Sequence, residues 1–209
     1  MALTTYALLK TTIANYLNRT DLTSYLGDFI TLTESRMNRE LRVREMVNTD
    51  TTTTTVAGTQ SYSLPSGFLE ASAVIYQSNP YRTLRFMANG DFYRQYNVTQ
   101  TSGLPTFFTI VGENILLGVA PDSAQTLQID FYKTITALSE SNTTNTILTN
   151  YPELYLYGAL AESSPFLMQD ERLDTWARLY KEALANANLS SEKGSITSSP
   201  MQMSATGIV

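Results

Sequence analysis

The chain has 209 residues, 43% of them hydrophobic, with no His, no Cys and 19 acidic against 14 basic side chains, a formal net charge of −5. This removes imidazole bases, thiolate nucleophiles, zinc thiolates and disulfides, and the acid excess argues against sequence-independent DNA affinity, which needs clustered cations. The length suits one packed domain or two small ones; no apolar run reaches the roughly 18 residues of a membrane span, and no secretory pattern opens the chain, so synthesis in a cytoplasm is expected.

In chain order, Thr4 or Thr5 can cap a first helix in which Tyr6, Leu9, Ile13, Tyr16 and Leu17 recur at three- and four-residue steps. Asp21 is the expected N-cap of a longer helix burying Leu22, Leu26, Phe29, Ile30, Met37 and Leu41. On that helix the run from Glu34 to Glu45 carries four arginines, Arg36, Arg39, Arg42 and Arg44, among three glutamates. Arg36 with Glu40 and Glu40 with Arg44 stand at i,i+4. The run reads either as a solvated face laced with ion pairs or as a protein interface, where arginine is the favoured cation; the interleaved glutamates weaken a nucleic-acid reading.

From Val47 to Thr55 the chain is β-branched and polar, and Ala57-Gly58-Thr59 is expected to turn it into a hairpin with a strand at Gln60 to Leu64. Further strands are expected at 69–77, 81–86, 106–111, 115–117 and 125–134, separated by Asn79-Pro80, Gly112-Glu113-Asn114 and Pro121-Asp122-Ser123 turns. Between them, 89–96 suits a short helix capped by Asn89 or Asp91. The Thr51–Thr55 run suggests a glycan- or ice-binding array, but without a repeat it reads as an exposed edge strand. Tyrosines 62, 76, 81, 93, 96 and 132 are expected as half-buried sheet residues rather than a carbohydrate platform.

Asn150 and Glu153 have capping-box spacing around Pro152, and Tyr155, Leu156, Leu160 and Ala161 continue a helix that Pro165 kinks or ends. Asp170 then caps a last helix with a stripe of Leu173, Trp176, Ala177, Tyr180, Leu184 and Ala187. Trp176, the only indole, reads as a core anchor. From residue 190 the sequence turns Ser-, Thr-, Gly- and Met-rich, with Ile196, Met201, Met203, Ile208 and Val209 as sparse anchors for a partner. The fold class expected is α+β: a discontinuous bundle of about four helices from 1–46 and 150–189, an antiparallel β sandwich or small barrel over 47–149, and an extended tail over 190–209.

Four segments together resemble a family. They are Asp21-Leu22 through Phe29-Ile30 to Glu34-x-Arg36-Met37-Asn38-Arg39-Glu40-Leu41-Arg42; Tyr62-x-Leu64-Pro65-x-x-Phe68-Leu69-Glu70; Gly103-x-Pro105; and Tyr151 to Leu160. In this order, spanning roughly residues 3 to 188, they are similar to tailed-bacteriophage head-to-tail adaptor proteins of the tail tubular protein A and tail accessory factor type. The resemblance implies a structural virion protein without cofactor or metal. It implies a homo-oligomeric ring, commonly of twelve copies, between the capsid portal and the tail or nozzle. DNA would pass through its channel ungripped during ejection, and no membrane is involved. It further implies that the helices build the ring, with Arg36, Arg39, Arg42 and Arg44 pairing with acids of a neighbouring copy, and that the tail docks on the portal.

Two rival readings stand beside it. A peptidoglycan hydrolase would need two suitably spaced carboxylates from Glu34, Glu40, Glu70, Glu113, Glu153 and Glu162, and no spacing singles out a pair. A carbohydrate-binding tail module would use the β insertion.

Overall fold

The computed structural model describes residues 3–19, 21–96, 102–166 and 172–195. In chain order these form helices α1 (Tyr6–Leu17) and α2 (Leu26–Glu40), and strands β1 (Val47–Asp50), β2 (Ser61–Ser63), β3 (Phe68–Tyr76), β4 (Arg82–Thr83) and β5 (Arg85–Phe86). Helix α3 (Asn89–Gln95) and strands β6 (Phe107–Val111), β7 (Asn114–Leu117) and β8 (Leu127–Lys133) follow, then helices α4 (Thr146–Asn150), α5 (Pro152–Glu162) and α6 (Arg172–Ser195). The class is α+β, with six α-helices among the described residues rather than about four. Two compact units result: a helical unit of Met1–Glu45 with Ile135–Val209, and a β unit of Met46–Thr134.

In the helical unit, Thr5 Oγ1 accepts the Leu8 N–H at 3.3 Å and starts α1. Tyr6, Leu9, Ile13 and Leu17 are buried, while Tyr16, one residue off that stripe, is 47% exposed. Asn18, at φ 52°, ends the helix in the left-handed conformation that Asn tolerates. Asp21 does not cap α2. Its carboxylate instead bonds Arg19 at 2.9 and 2.5 Å, and a 3₁₀ turn over Thr23–Tyr25 delays the helix to Leu26, where no side chain caps it. A nearby guanidinium has taken the oxygens that a free helix terminus would have used.

Helix α5 is the centre of this unit and packs against α1, α2, α4 and α6. Leu154, Tyr155, Leu156, Gly158, Ala159 and Leu160 are all buried, so apolar residues surround most of the helix instead of forming a stripe. Pro152 occupies its first turn as expected, but the Asn150–Glu153 capping box does not form. Asn150 ends α4 instead, and α4 is capped by Asn145, whose Oδ1 accepts the Leu148 N–H at 2.7 Å. A Cβ on Gly158 would stand 2.3 Å from Thr33 Cγ2 and 3.2 Å from the Tyr180 ring, so the absent side chain sets how closely α2 and α6 approach α5. On α6 the buried stripe is Trp176, Tyr180, Ala183 and Ala187, with Leu173, Ala177 and Leu184 half-buried beside it. The helix continues to Ser195, past the tail boundary expected at 190; Asp170, its expected cap, lies outside the described residues.

The β unit ends at Thr134, not at 149. Beyond it the chain is bound to the helical unit: Ile135 N–H donates to Asn38, Leu138 N–H to Glu34, and Thr143 O accepts the Tyr6 N–H.

Two four-stranded sheets make up the β unit, ordered β1-β8-β3-β4 and β2-β7-β6-β5. Alternation along β8 turns Leu127, Ile129 and Phe131 inward, where they join Val74 and Tyr76 of β3 and Tyr62, Phe108, Ile115 and Leu117 of the second sheet in one core. All pairings are antiparallel except β5 with β6, which is parallel because the chain passes through α3 between them. Helix α3 follows Ala88 without a side-chain cap, so neither Asn89 nor Asp91 plays that part.

The expected hairpin over 47–64 is absent, since β1 pairs with β8 and β2 with β7, in different sheets. The segment between them crosses from one sheet to the other. Thr53 O accepts the Leu127 N–H, Thr55 N–H donates to Gln125 O, and Gly58 N–H donates to Pro121 O. Tyr62 fixes this turn: its hydroxyl accepts the Val56 N–H at 3.0 Å and reaches Thr59 O at 2.7 Å. The threonine run therefore continues the β1 edge irregularly, with Thr54 bridging Thr126 and Thr51, Thr52 and Thr54 exposed, until Thr55 is fully buried at the corner. On the opposite flank β4 and β5 make the same change of sheet about buried Leu84, where Leu84 N–H bonds Val74 O and Arg85 N–H bonds Thr106 O. Crossing segments on both flanks combine sandwich and barrel character and leave little open sheet edge.

Candidate functional site

The arginine run from Glu34 to Glu45, which overlaps the first of the four segments that carry the resemblance, forms the last turns of α2 and the chain just beyond it. Successive residues face different neighbours, and this divides the run by role.

Glu34 is 4% exposed, and its Oε1 accepts the Leu138 N–H at 2.8 Å and the Tyr155 hydroxyl at 3.0 Å. Tyr155 Oη also accepts from Asn145 Nδ2 at 2.6 Å. One turn further along α2, Asn38 Oδ1 accepts the Ile135 N–H at 2.8 Å. Two side chains at i,i+4 thus clasp the backbone that leads from the β unit back into the helices. Burial pushes the Glu34 carboxyl above the usual glutamate range, against the opposing pull of its two hydrogen bonds. Burial, reinforced by the adjacent Glu34, likewise raises Tyr155.

Arg36 also turns inward. Its Nε lies 3.3 Å from Glu40 and its Nη1 3.3 Å from Glu162 on α5, while the guanidinium carbon stands 4.5 Å above the Tyr180 ring of α6. Three helices meet on this one side chain, and burial pushes Tyr180 up to about 12. Arg42 folds back onto its own helix, with Nη1 donating to Leu41 O at 2.7 Å and Asn38 O at 3.1 Å, carbonyls that the helix end leaves unpaired. Its backbone N–H donates to Asn188 Oδ1 at 2.9 Å, and the Arg44 N–H to Ser191 Oγ at 2.8 Å, so α6 is tied to the end of α2.

Arg39 and Arg44 point outward. Arg39 donates to Ser35 Oγ at 3.1 Å and forms no ion pair among the described residues. The Arg44 side chain is 70% exposed, with Glu45 3.4 Å away. Of the other candidate contacts, Ile196, Met201, Met203, Ile208 and Val209 lie outside the described residues. The i,i+4 rule gave the Arg36–Glu40 pair, but the observed partner of Arg44 is Glu45 rather than Glu40.

Among the nominated glutamates, Glu34 is engaged by the clasp, and Glu40 and Glu162 share Arg36. Glu113 sits on the β6–β7 turn, and Glu153 lies in the first turn of α5. No group of three or more His, Cys, Asp or Glu side chains among the described residues is placed to hold a metal ion. No described helix is long and apolar enough to cross a membrane. Of the tyrosines, Tyr62 and Tyr76 are buried while Tyr81 and Tyr93 are exposed. Sequence reasoning missed Glu34 and Asn38 as backbone ligands; the one available signal was an acid on the apolar face of α2, between Ile30 and Met37.

The polar groups of this motif thus bind the two chain segments that make up the helical unit to each other, Glu34 through Leu138 and Tyr155 and Asn38 through Ile135. The chain belongs to the SU10 adaptor protein family, whose model matches residues 4–204, and so spans both units. It is a phage head-to-tail adaptor by family and a structural component of the virion. No curated protein matches the chain.

Proposed function

We propose that the protein assembles as a ring, of twelve copies on the family's pattern, that joins the capsid portal to the tail or nozzle and leaves a channel for DNA. The observation that carries this reading is the family match across residues 4–204, which includes the helices, the β insertion and much of the carboxyl-terminal segment. The net charge of −5 supports a conduit that does not hold phosphate. The role is structural and not enzymatic. Within the run, Arg39 and Arg44 are the arginines free to meet a neighbouring copy, because Arg36 and Arg42 serve their own fold. The segment containing Ile196, Met201, Met203, Ile208 and Val209 contacts the portal.

Native mass spectrometry of the chain alone and mixed with the portal protein from the same genome tests this. A complex of fixed stoichiometry with the portal is expected, and truncation after Ser195 should abolish it while leaving the helices folded. A chain that ignores the portal would overturn the reading.

A further inference from the structure

In the β unit, Arg82 and Arg85 flank a shallow recess of about 390 Å³, completed by Thr83, Thr106 and Phe107. It lies where both sheets end, since β4 is the outermost strand of one sheet and β5 of the other. Backbone bonds along this stretch alternate in direction: the Leu84 N–H reaches Val74 O of β3, and the Arg85 N–H reaches Thr106 O beside β6. The same alternation turns the Thr83 N–H to the β6 side, where Thr83 lines the recess. Two guanidinium forks, a backbone N–H and the hydroxyls of Thr83 and Thr106 are thus offered to one space.

Arg82 and Arg85 are exposed and have no ion-pair partner among the described residues. Between Glu70 and Glu113 the only acid is Asp91, which stands 3.4 Å from Arg94. Two rings extend the surface. Tyr81 is 70% exposed and Phe86 64%, more than any other large hydrophobic side chain among the described residues, and Phe86 is held edge-on to Phe108 at 5.7 Å. Arginine beside exposed Tyr and Phe, without Lys or Glu, is the composition of a protein-interface core.

A long polyanion fits less well. Across residues 46–134, Asp50, Glu70, Asp91, Glu113, Asp122 and Asp130 outnumber Arg82, Arg85, Arg94 and Lys133. A duplex tracking the β unit would therefore meet net repulsion beyond the recess, whereas a short segment with a few carboxylates engages the two unpaired arginines alone.

We infer that this recess and the rings beside it dock an acidic segment of a partner protein, whose carboxylates pair with Arg82 and Arg85. A guanidinium holds a carboxylate through two parallel N–H···O bonds, a geometry lysine lacks, so the site sets orientation as well as attraction. It lies wholly within the β unit and does not depend on how many copies assemble.

The test uses the full chain and a short peptide of alternating glutamate and threonine, with its glutamine counterpart as control, and follows backbone amide and arginine Nε–H resonances by NMR. The glutamate peptide should shift Arg82 to Phe86 and Thr106 to Phe107, and should bind at least about tenfold more tightly than the glutamine peptide. R82E/R85E should abolish the response, R82K/R85K should recover only part of it, and Y81A/F86A should weaken it by a smaller factor. Circular dichroism melts would establish that each variant is folded. Equal binding of the two peptides, shifts that R82E/R85E leaves intact, or no response at millimolar peptide overturns the assignment. Duplex DNA that shifts these resonances where the peptide does not would give the recess to nucleic acid instead. Self-association that R82E/R85E abolishes, without a peptide response, would replace the partner by a second copy of this chain. None of these outcomes decides the ring reading, which the mixture with the portal tests separately.

Discussion

The two units solve the problem of closure in different ways. The helical unit is built from chain ends separated by the whole insertion, and it is drawn together by polar side chains aimed at particular backbone groups: buried Glu34 reaches Leu138 across 104 residues and half-buried Asn38 reaches Ile135 across 97. The β unit is continuous in sequence, encloses an apolar core, and closes its flanks by sending its own backbone from one sheet to the other. Hydrophobic attraction is non-directional, so it can collapse a continuous segment but does not by itself dictate where a distant piece of chain must return. Directional hydrogen bonds supply that register.

The comparison breaks most visibly at Glu34. Glu34→Ala leaves the Leu138 N–H without its partner inside the bundle and opens space beside Tyr155, and it should cost about 3 kcal/mol of helical-unit stability. Urea unfolding followed by Trp176 fluorescence would read this, because Trp176 belongs to the helical unit. Glu34→Gln keeps an acceptor and should stay within about 1 kcal/mol of the wild type. The pair also fixes a pH dependence. Because the folded-state carboxyl is raised, the native protein holds a proton that the unfolded chain has released, from about pH 4.3 upward to the raised value. This group's contribution is therefore most favourable in acid and declines as pH rises through that window; Glu34→Gln should remove that part of the slope.

Gly158 tests whether close helix packing matters as much as the clasp. An added methyl 2.3 Å from Thr33 Cγ2 cannot be accommodated without moving α2 or α5, so Gly158→Ala should cost about 2 kcal/mol in the same unfolding measurement. A smaller change would mean that the α2–α5 crossing is softer than its geometry indicates.

Periodicity made the helix faces legible because it is a local property. The stripe of Tyr6, Leu9, Ile13 and Leu17, the inner face of α2, and the alternation of β8 could all be read from spacing. Boundaries and pairings were less legible because they depend on competitors. Asp21 had the composition of a cap, but Arg19 took its oxygens; Ala57-Gly58-Thr59 had the composition of a hairpin turn, but Tyr62 and the Gln125 backbone drew the chain across to the other sheet. The arginine run showed its charge in sequence but not its division. Whether each arginine lies in a bundle seam, on a helix end or in solvent depends on α5 and α6, more than a hundred residues away.

In the β unit the matching change is smaller. Tyr62→Phe keeps the ring in the core but leaves the Val56 N–H and Thr59 O without the hydroxyl that fixes the crossing, for a cost of about 1 kcal/mol. Hydrogen exchange should show faster opening at Val56 and at Gly58, with little change at Leu138. Equal loss of protection at Leu138 would mean that the two units do not open independently.

The smallest effect on stability is expected where the arginine run faces outward. The R39E/R44E double variant removes only a Ser35 hydrogen bond and an exposed pair with Glu45, so its unfolding free energy should shift by less than about 0.5 kcal/mol. Arg36→Glu is the internal contrast, since it places a third carboxylate beside Glu40 and Glu162 over the Tyr180 ring and should unfold the bundle at a markedly lower urea concentration. If R39E/R44E is as stable as the wild type yet fails to assemble, charge on the outer side of the run acts between copies while charge on its inner side acts within one. If instead it assembles normally, the outward arginines only keep the helix solvated, and the copy-to-copy contact must be carried by other surfaces.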